Sequence, residues 1–154
     1  MQGVALAYDL IRFAKPGAVL LLDQDGRIAS AAAARLHRLT GFECSWGECD
    51  ALDSAALGEQ LAGHTVACSC VPYWMHRKVI EAALGVGVSV IDLGQDTCDT
   101  LATLELDAEA RAGVAAVVVG LEGHEHLGQR AHEHGHRGRE RLLLEGRGHE
   151  RIMV

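Results

Sequence analysis

The sequence predicts an α/β fold, a Rossmann-like doubly wound parallel sheet, and three observations carry that prediction. Ala18-Val19-Leu20-Leu21-Leu22 is an unbroken apolar run that stops on Asp23. A strand covered on both faces reads this way, because neither face meets water. Runs of similar character recur near 42–46, 65–71, 88–92 and 114–119, with helical patterns and Gly turns between them. Strands alternating with helices give a parallel sheet with helices on both faces. Gly3 opens a helical pattern 20 residues before Asp23. A helix opened by Gly and a strand closed by an acid form the later part of a dinucleotide-binding unit.

Taken in order, Gln2 to Ala14 reads as a helix. Asp9, Arg12 and Lys15 make a narrow polar stripe on it, and most of the rest is apolar, which predicts packing against a sheet. Lys15-Pro16-Gly17 ends it, since the residue before Pro is pushed out of the helical region. The strand to Asp23 follows. Arg27 to Leu39, rich in Ala, Arg and Leu, is a second helix closed by Thr40-Gly41.

Phe42 to Trp46 reads as a short strand. Asp53 or Ser54 caps a third helix that runs to about Ala62. Thr65 to Val71 is a strand stopped by Pro72, and His76 to Leu84 a fourth helix. Val88 to Asp92 is a strand, Leu101 to Ala112 a helix, and Val114 to Val119 the last clear strand. In a dinucleotide-binding sheet the order is 3-2-1-4-5-6, with the first strand at the centre. This chain opens on a helix, so the sheet is expected to lack its first strand.

From Gly120 the composition changes. His, Arg, Glu and Gly make up 25 of residues 120–154, and apolar periodicity disappears apart from Leu142-Leu143-Leu144 and Ile152-Met153-Val154. Such a segment buries too little apolar surface to order itself, so a disordered tail is expected after a domain spanning 1–119. His124, His126, His132, His134 and His136 are metal-competent residues in that tail, although no metal site is assigned to them.

Composition narrows the function. A net charge of −7 and 4% aromatics argue against nucleic acid and base-stacking surfaces. No apolar run approaches the ~18 residues of a membrane span, and a cytoplasmic protein without a membrane partner is expected. The five cysteines, Cys44, Cys49, Cys68, Cys70 and Cys98, lack zinc-site spacing and read as buried thiols of a reducing compartment.

The chemistry is expected at the carboxyl ends of the strands. Gly3, with Gln2 before it, stands where a helix start offers free N–H groups to a pyrophosphate. Asp23, followed by Gln24, is placed to accept hydrogen bonds from ribose hydroxyls and to repel a 2′-phosphate, which predicts NAD over NADP. Asp50 ends the next run. Cys70-Val71-Pro72-Tyr73 leaves a strand beside the expected cofactor path, and Asp92-Leu93-Gly94 leaves the one after it. His64 and His76 are isolated histidines and read as surface or packing residues.

These residues resemble a known family. Met1 to Leu10, "MQGVALAYDL", resembles the end of a G-x-G-M-x-G-x-A-x-A-x-D-L fingerprint. Val66 to Tyr73 is similar to "DVVISALPY" of the saccharopine dehydrogenase NAD(P)-binding domain. Val88 to Thr97, "VSVIDLGQDT", is similar to that family's "VHYVDLGGNT". Lysine 6-dehydrogenase belongs to the same group. The resemblance covers roughly residues 1–119. It implies that Gly3 is the third fingerprint glycine, Asp23 the ribose acid and Asp50 the acid of the adenine-side loop. Val71, Pro72 and Tyr73 would line the nicotinamide half.

The family oxidises an amine, or reduces an imine, on lysine-like amino acids, with most substrate-binding machinery in a second domain. The resemblance therefore implies the cofactor part of a truncated or frame-shifted oxidoreductase, inactive alone, with a small amino-acid substrate in the full-length family. No catalytic residue is assigned, and the reading leaves room for a homo-oligomer. The competing expectations are a non-catalytic dinucleotide-binding or sensor module and a metal-binding protein acting through the His-rich tail.

Overall fold

Alternate residues of each central strand enter opposite cores, and this builds a doubly wound sheet. The computed structural model describes residues 2–93, 101, 103–113, 115–118 and 151–154. Among the described residues, six strands pair in parallel: β1 (Ala18–Asp23), β2 (Ser45–Glu48), β3 (Val66–Ser69), β4 (Ser89–Asp92), β5 (Val117–Val118) and β6 (Arg151–Met153). Their spatial order is β2-β1-β6-β3-β4-β5.

One face carries α1 (Gln2–Asp9), continued by a π-helical turn over Leu10–Ala14, and α2 (Gly26–Thr40). Ala7, Ile11, Ala33 and Leu36 from these helices pack on Val19, Leu21, Val66, Cys68, Ile152 and Val154. The other face carries α3 (Ser54–Leu61) and α4 (His76–Gly85). Their Leu57, Leu61, Val79, Ile80 and Ala83 meet Ala67, Val90 and Met153, with Leu20 and Leu22 alongside. The even and odd positions of β1, β3 and β6 are thus divided between the two cores, as an apolar run without alternation requires. A short helix, α5 (Asp107–Ala112), precedes β5.

The caps follow the sequence signals. Asp53 accepts the Ala56 N–H at 3.0 Å and opens α3. A cap of this kind is worth about 0.5–2 kcal/mol. Gly41 takes φ 74° and closes α2 with its N–H on the His37 carbonyl. The helix expected over residues 2–14 divides: its last turn widens to π geometry before Lys15 adopts the left-handed region and Pro16 ends it. Phe13 from that turn is exposed rather than packed on the sheet.

Two expectations change. The strand sought at 42–46 forms at Ser45–Glu48 instead, while Phe42 and Cys44 pack against the α1/α2 core. The sheet also does not lack a central strand. Arg151–Met153, from the segment expected to be a disordered tail, lies between β1 and β3. Ile152, Met153 and Val154 drive this placement, being almost fully buried, although three residues are too short a run to register as a period. Residues 119–150, including the histidines considered for metal, lie outside the described residues.

Candidate functional site

The carboxyl ends of β1, β6 and β3 open into one cleft of about 500 Å³. Leu21, Leu22, Cys68, Met153 and Val154 contribute to its lining from the strand ends. On the β1–β2 side stand Asp23, Gln24, Ile28 of α2, Asp50 and Leu52; on the β3 side stand Cys70, Val71, Pro72 and Trp74. Gly3 and Val4 of α1 complete it.

Asp23 ends β1, and the chain turns there because its Oδ1 accepts the Asp25 N–H at 3.0 Å. Oδ2 has no hydrogen-bond partner among the described residues. Asp25 in turn caps α2, accepting the Arg27 N–H at 2.9 Å and the Arg27 side chain at 3.1 and 2.7 Å. The Arg27 guanidinium holds the Asp25 carboxyl below its ordinary range. Glu48, opposite Asp23 in the register, accepts the Gly26 N–H at 3.1 Å. A Cβ on Gly26 would stand 3.0 Å from Glu48 Oε2 and 3.3 Å from Glu48 Cβ, so the helix start lies close against the strand. Asp50 accepts the Leu52 N–H at 2.9 Å and holds the loop after β2 at the cleft.

Gly3 lies where α1 meets the sheet: a Cβ there would be 3.4 Å from Val154 Cγ1 and 3.7 Å from Cys70 Sγ. The helix start is therefore packed on the ends of β6 and β3 at once, with its first N–H groups lacking intrahelical acceptors. Among the described lining residues there is no Lys, Arg or His, whereas Asp23 and Asp50 are both present.

Behind the β3 side lies a buried polar pair. Ser69, the last residue of β3, is 2.7 Å from Nδ1 of His76, the first residue of α4. Both are almost fully buried, as is Asp92, which faces Ser69 across the β3–β4 register. Ser69 also lines the cleft. The cysteines suit packing rather than nucleophilic work. Burial pushes the Cys68 thiol up to about 12, with a further contribution from Cys70, and burial also raises Cys49 and Cys70.

Of the residues singled out in the sequence, Gly3, Asp23, Gln24, Asp50, Val71 and Pro72 meet in this cleft. Gln2 is exposed at the helix start and does not line it. Tyr73 is half exposed and does not line it; its neighbour Trp74 does, within the 3-10 turn over Tyr73–Met75 that follows Pro72. Gly94 lies outside the described residues. The reading as isolated histidines holds for His64, which meets the Leu61 carbonyl at 3.2 Å, but His76 is the buried partner of Ser69. No group of three metal-ligating side chains exists among the described residues, and no helix among them is long and apolar enough to cross a membrane.

A domain described as "Saccharopine dehydrogenase NADP binding domain" matches residues 2–117. Among solved structures, the chain is similar to apo histidine-tagged saccharopine dehydrogenase (L-Glu forming) from Saccharomyces cerevisiae. The identity is 22%, the match covers 65% of this chain and 26% of that one, and the TM-score is 0.48. The chain spans about a quarter of that enzyme's length. No curated protein matches it.

Proposed function

Because this chain belongs to the saccharopine dehydrogenase NADP binding domain family, we propose that its cleft holds the nicotinamide dinucleotide of an amino-acid oxidoreductase. One observation carries this reading: the acid that ends β1 and the glycine that opens α1 line the same cleft at the carboxyl edge of the sheet. In an open α/β sheet a dinucleotide binds at that edge. The group fits the residues present. The start of α1 at Gly3 would offer its free N–H groups to a pyrophosphate, Asp23 would keep Oδ2 for ribose hydroxyls, and Asp50 and Leu52 would border the adenine end. Val71, Pro72 and Trp74 form the nicotinamide end.

When bound, the dinucleotide supplies hydride transfer. The residues of this chain bind it, orient it and keep water from it. The reaction proposed is oxidation of an amine, or reduction of an imine, on a small amino acid.

The family description names NADP, and the acids of this cleft weigh toward NAD. A 2′-phosphate beside Asp23 would meet a carboxylate and no Lys or Arg among the described lining residues. Titration calorimetry of the full chain with NAD and with NADP tests both levels of the proposal. Saturable one-site binding with NAD the tighter ligand is expected. Absence of binding by either dinucleotide at millimolar concentration overturns the site. Tighter NADP binding overturns the cofactor choice and leaves the site standing.

A further inference from the structure

β1 and β3 form the two banks of the cleft, yet they do not pair with each other. Among the described residues, every ladder contact between the two halves of the sheet runs through residues 151–154. Val19 and Val66 both face Ile152, and Leu20 and Ala67 both face Met153. Val154 extends the ladder, donating its N–H to the Leu20 carbonyl at 2.8 Å and accepting the Leu22 N–H at 3.0 Å. Ile152 and Val154 enter the α1/α2 core, and Met153 enters the α3/α4 core. Met153 and Val154 also line the cleft.

Without this segment the banks would lie about two strand spacings apart, roughly 9–10 Å, too far for any direct backbone hydrogen bond. Each bank would expose a row of unpaired N–H and C=O groups, the template onto which an extended chain adds. The segment reaches this place after residues 119–150, a stretch dominated by His, Arg, Glu and Gly. Among the described residues of this segment, Ile152, Met153 and Val154 are the side chains that hold it there by burial. The occupant is also specified chemically. It must run parallel to β1, present alternating apolar side chains to two different cores, and make backbone hydrogen bonds on both edges.

We propose that the gap between β1 and β3 is a strand-acceptor site for a short extended apolar peptide. Residues 151–154 fill it in cis, and the dinucleotide cleft is assembled only while it is filled. The acceptor site stands on the pairing alone; its control of the cleft rests on the dinucleotide reading above.

The test uses the full chain carrying Ile152→Lys, which puts a charge at a fully buried position and vacates the site. Its probe is a labelled peptide with the sequence of residues 149–154, HERIMV, with a scrambled peptide as control. The variant should bind HERIMV saturably while the wild-type chain binds it at least about tenfold more weakly, because its own segment competes at high effective concentration. NAD binding should be lost in the variant and return to within about threefold of wild type when the peptide saturates it. Equal peptide binding by variant and wild type, or NAD binding by the variant without peptide, overturns the proposal.

Hydrogen exchange on the wild-type chain keeps the test open should the variant not fold. The amides of Ile152, Met153, Val154 and Leu22 should open together, ahead of Ser89, whose N–H donates to the Thr65 carbonyl between β4 and β3. Opening of all five only at the global rate overturns the acceptor site. If wild type binds no dinucleotide, the cleft reading fails while peptide binding and exchange still decide the acceptor site.

Discussion

Gly3 packs so close to Val154 at the head of the cleft that a Cβ placed on Gly3 would stand 3.4 Å from Val154 Cγ1. That contact joins the start of the first helix to the end of the central strand, the junction where a dinucleotide-binding fold presents its phosphate-binding turn. The spacing is ordinary van der Waals contact, so an alanine methyl fits. Gly3→Ala should leave stability within about 0.5 kcal/mol of wild type. Gly3→Val should push into Val154 and Cys70 and weaken dinucleotide binding at least about tenfold, equivalent to ~1.4 kcal/mol. Thermal melts with and without NAD separate the two effects: Gly3→Val should lose most of the ligand-induced rise in Tm.

Asp23 sets the second prediction. Its Oδ1 holds the turn through the Asp25 N–H, and Oδ2 is available to a ligand. Asp23→Asn preserves the turn acceptor and removes the charge. NAD affinity should fall by about 1.5–3 kcal/mol, the range for a hydrogen bond to a charged group. NADP should lose less, so the ratio of the two dissociation constants moves toward NADP. Calorimetry of wild type and variant with both ligands reads that ratio.

Much of this arrangement is legible in the sequence, for reasons that can be traced residue by residue. Asp23 is found because a long apolar run ends on it, and Asp53 and Gly41 because caps have strong local preferences. β2 is misplaced because its residues are an edge strand with three of four positions exposed, so no apolar pattern marks it. Trp74 lines the cleft and Tyr73 does not, and no pattern in the sequence separates these two neighbours within the 3-10 turn that follows Pro72. β6 is hidden most deeply. Ile152-Met153-Val154 is visible as an apolar trio, but its pairing partners lie far away in sequence, and only the open ladder edges of β1 and β3 give it a place. His76 is similar: nothing near it in sequence points to Ser69.

The Ser69–His76 pair yields a stability prediction. Ser69→Ala leaves Nδ1 of a buried imidazole without the partner it has at 2.7 Å. Loss of one side of a buried hydrogen bond costs about 1–3 kcal/mol. Urea unfolding of the variant should show a lower midpoint by that amount at unchanged slope. A slope change would instead mean that the ends of β3 and α4 rearrange.

Cys68 gives a pH dependence. Its thiol is pushed up to about 12 from an ordinary 9.0, chiefly by burial. Between these values the unfolded chain has released the proton that the folded chain retains. Stability therefore falls as pH rises from about 9 toward 12. Cys68→Ala should flatten that fall, as measured by urea midpoints across the alkaline range. An unchanged alkaline slope would mean that Cys68 titrates alike in both states.

The most direct measurement is a crystal structure of the full chain with NAD bound. The dinucleotide is expected across the carboxyl ends of β1, β6 and β3, with a ribose hydroxyl within hydrogen-bond distance of Asp23 Oδ2 and the pyrophosphate at Gly3. Density for NAD away from this cleft, or a ribose that makes no contact with Asp23, would contradict the account.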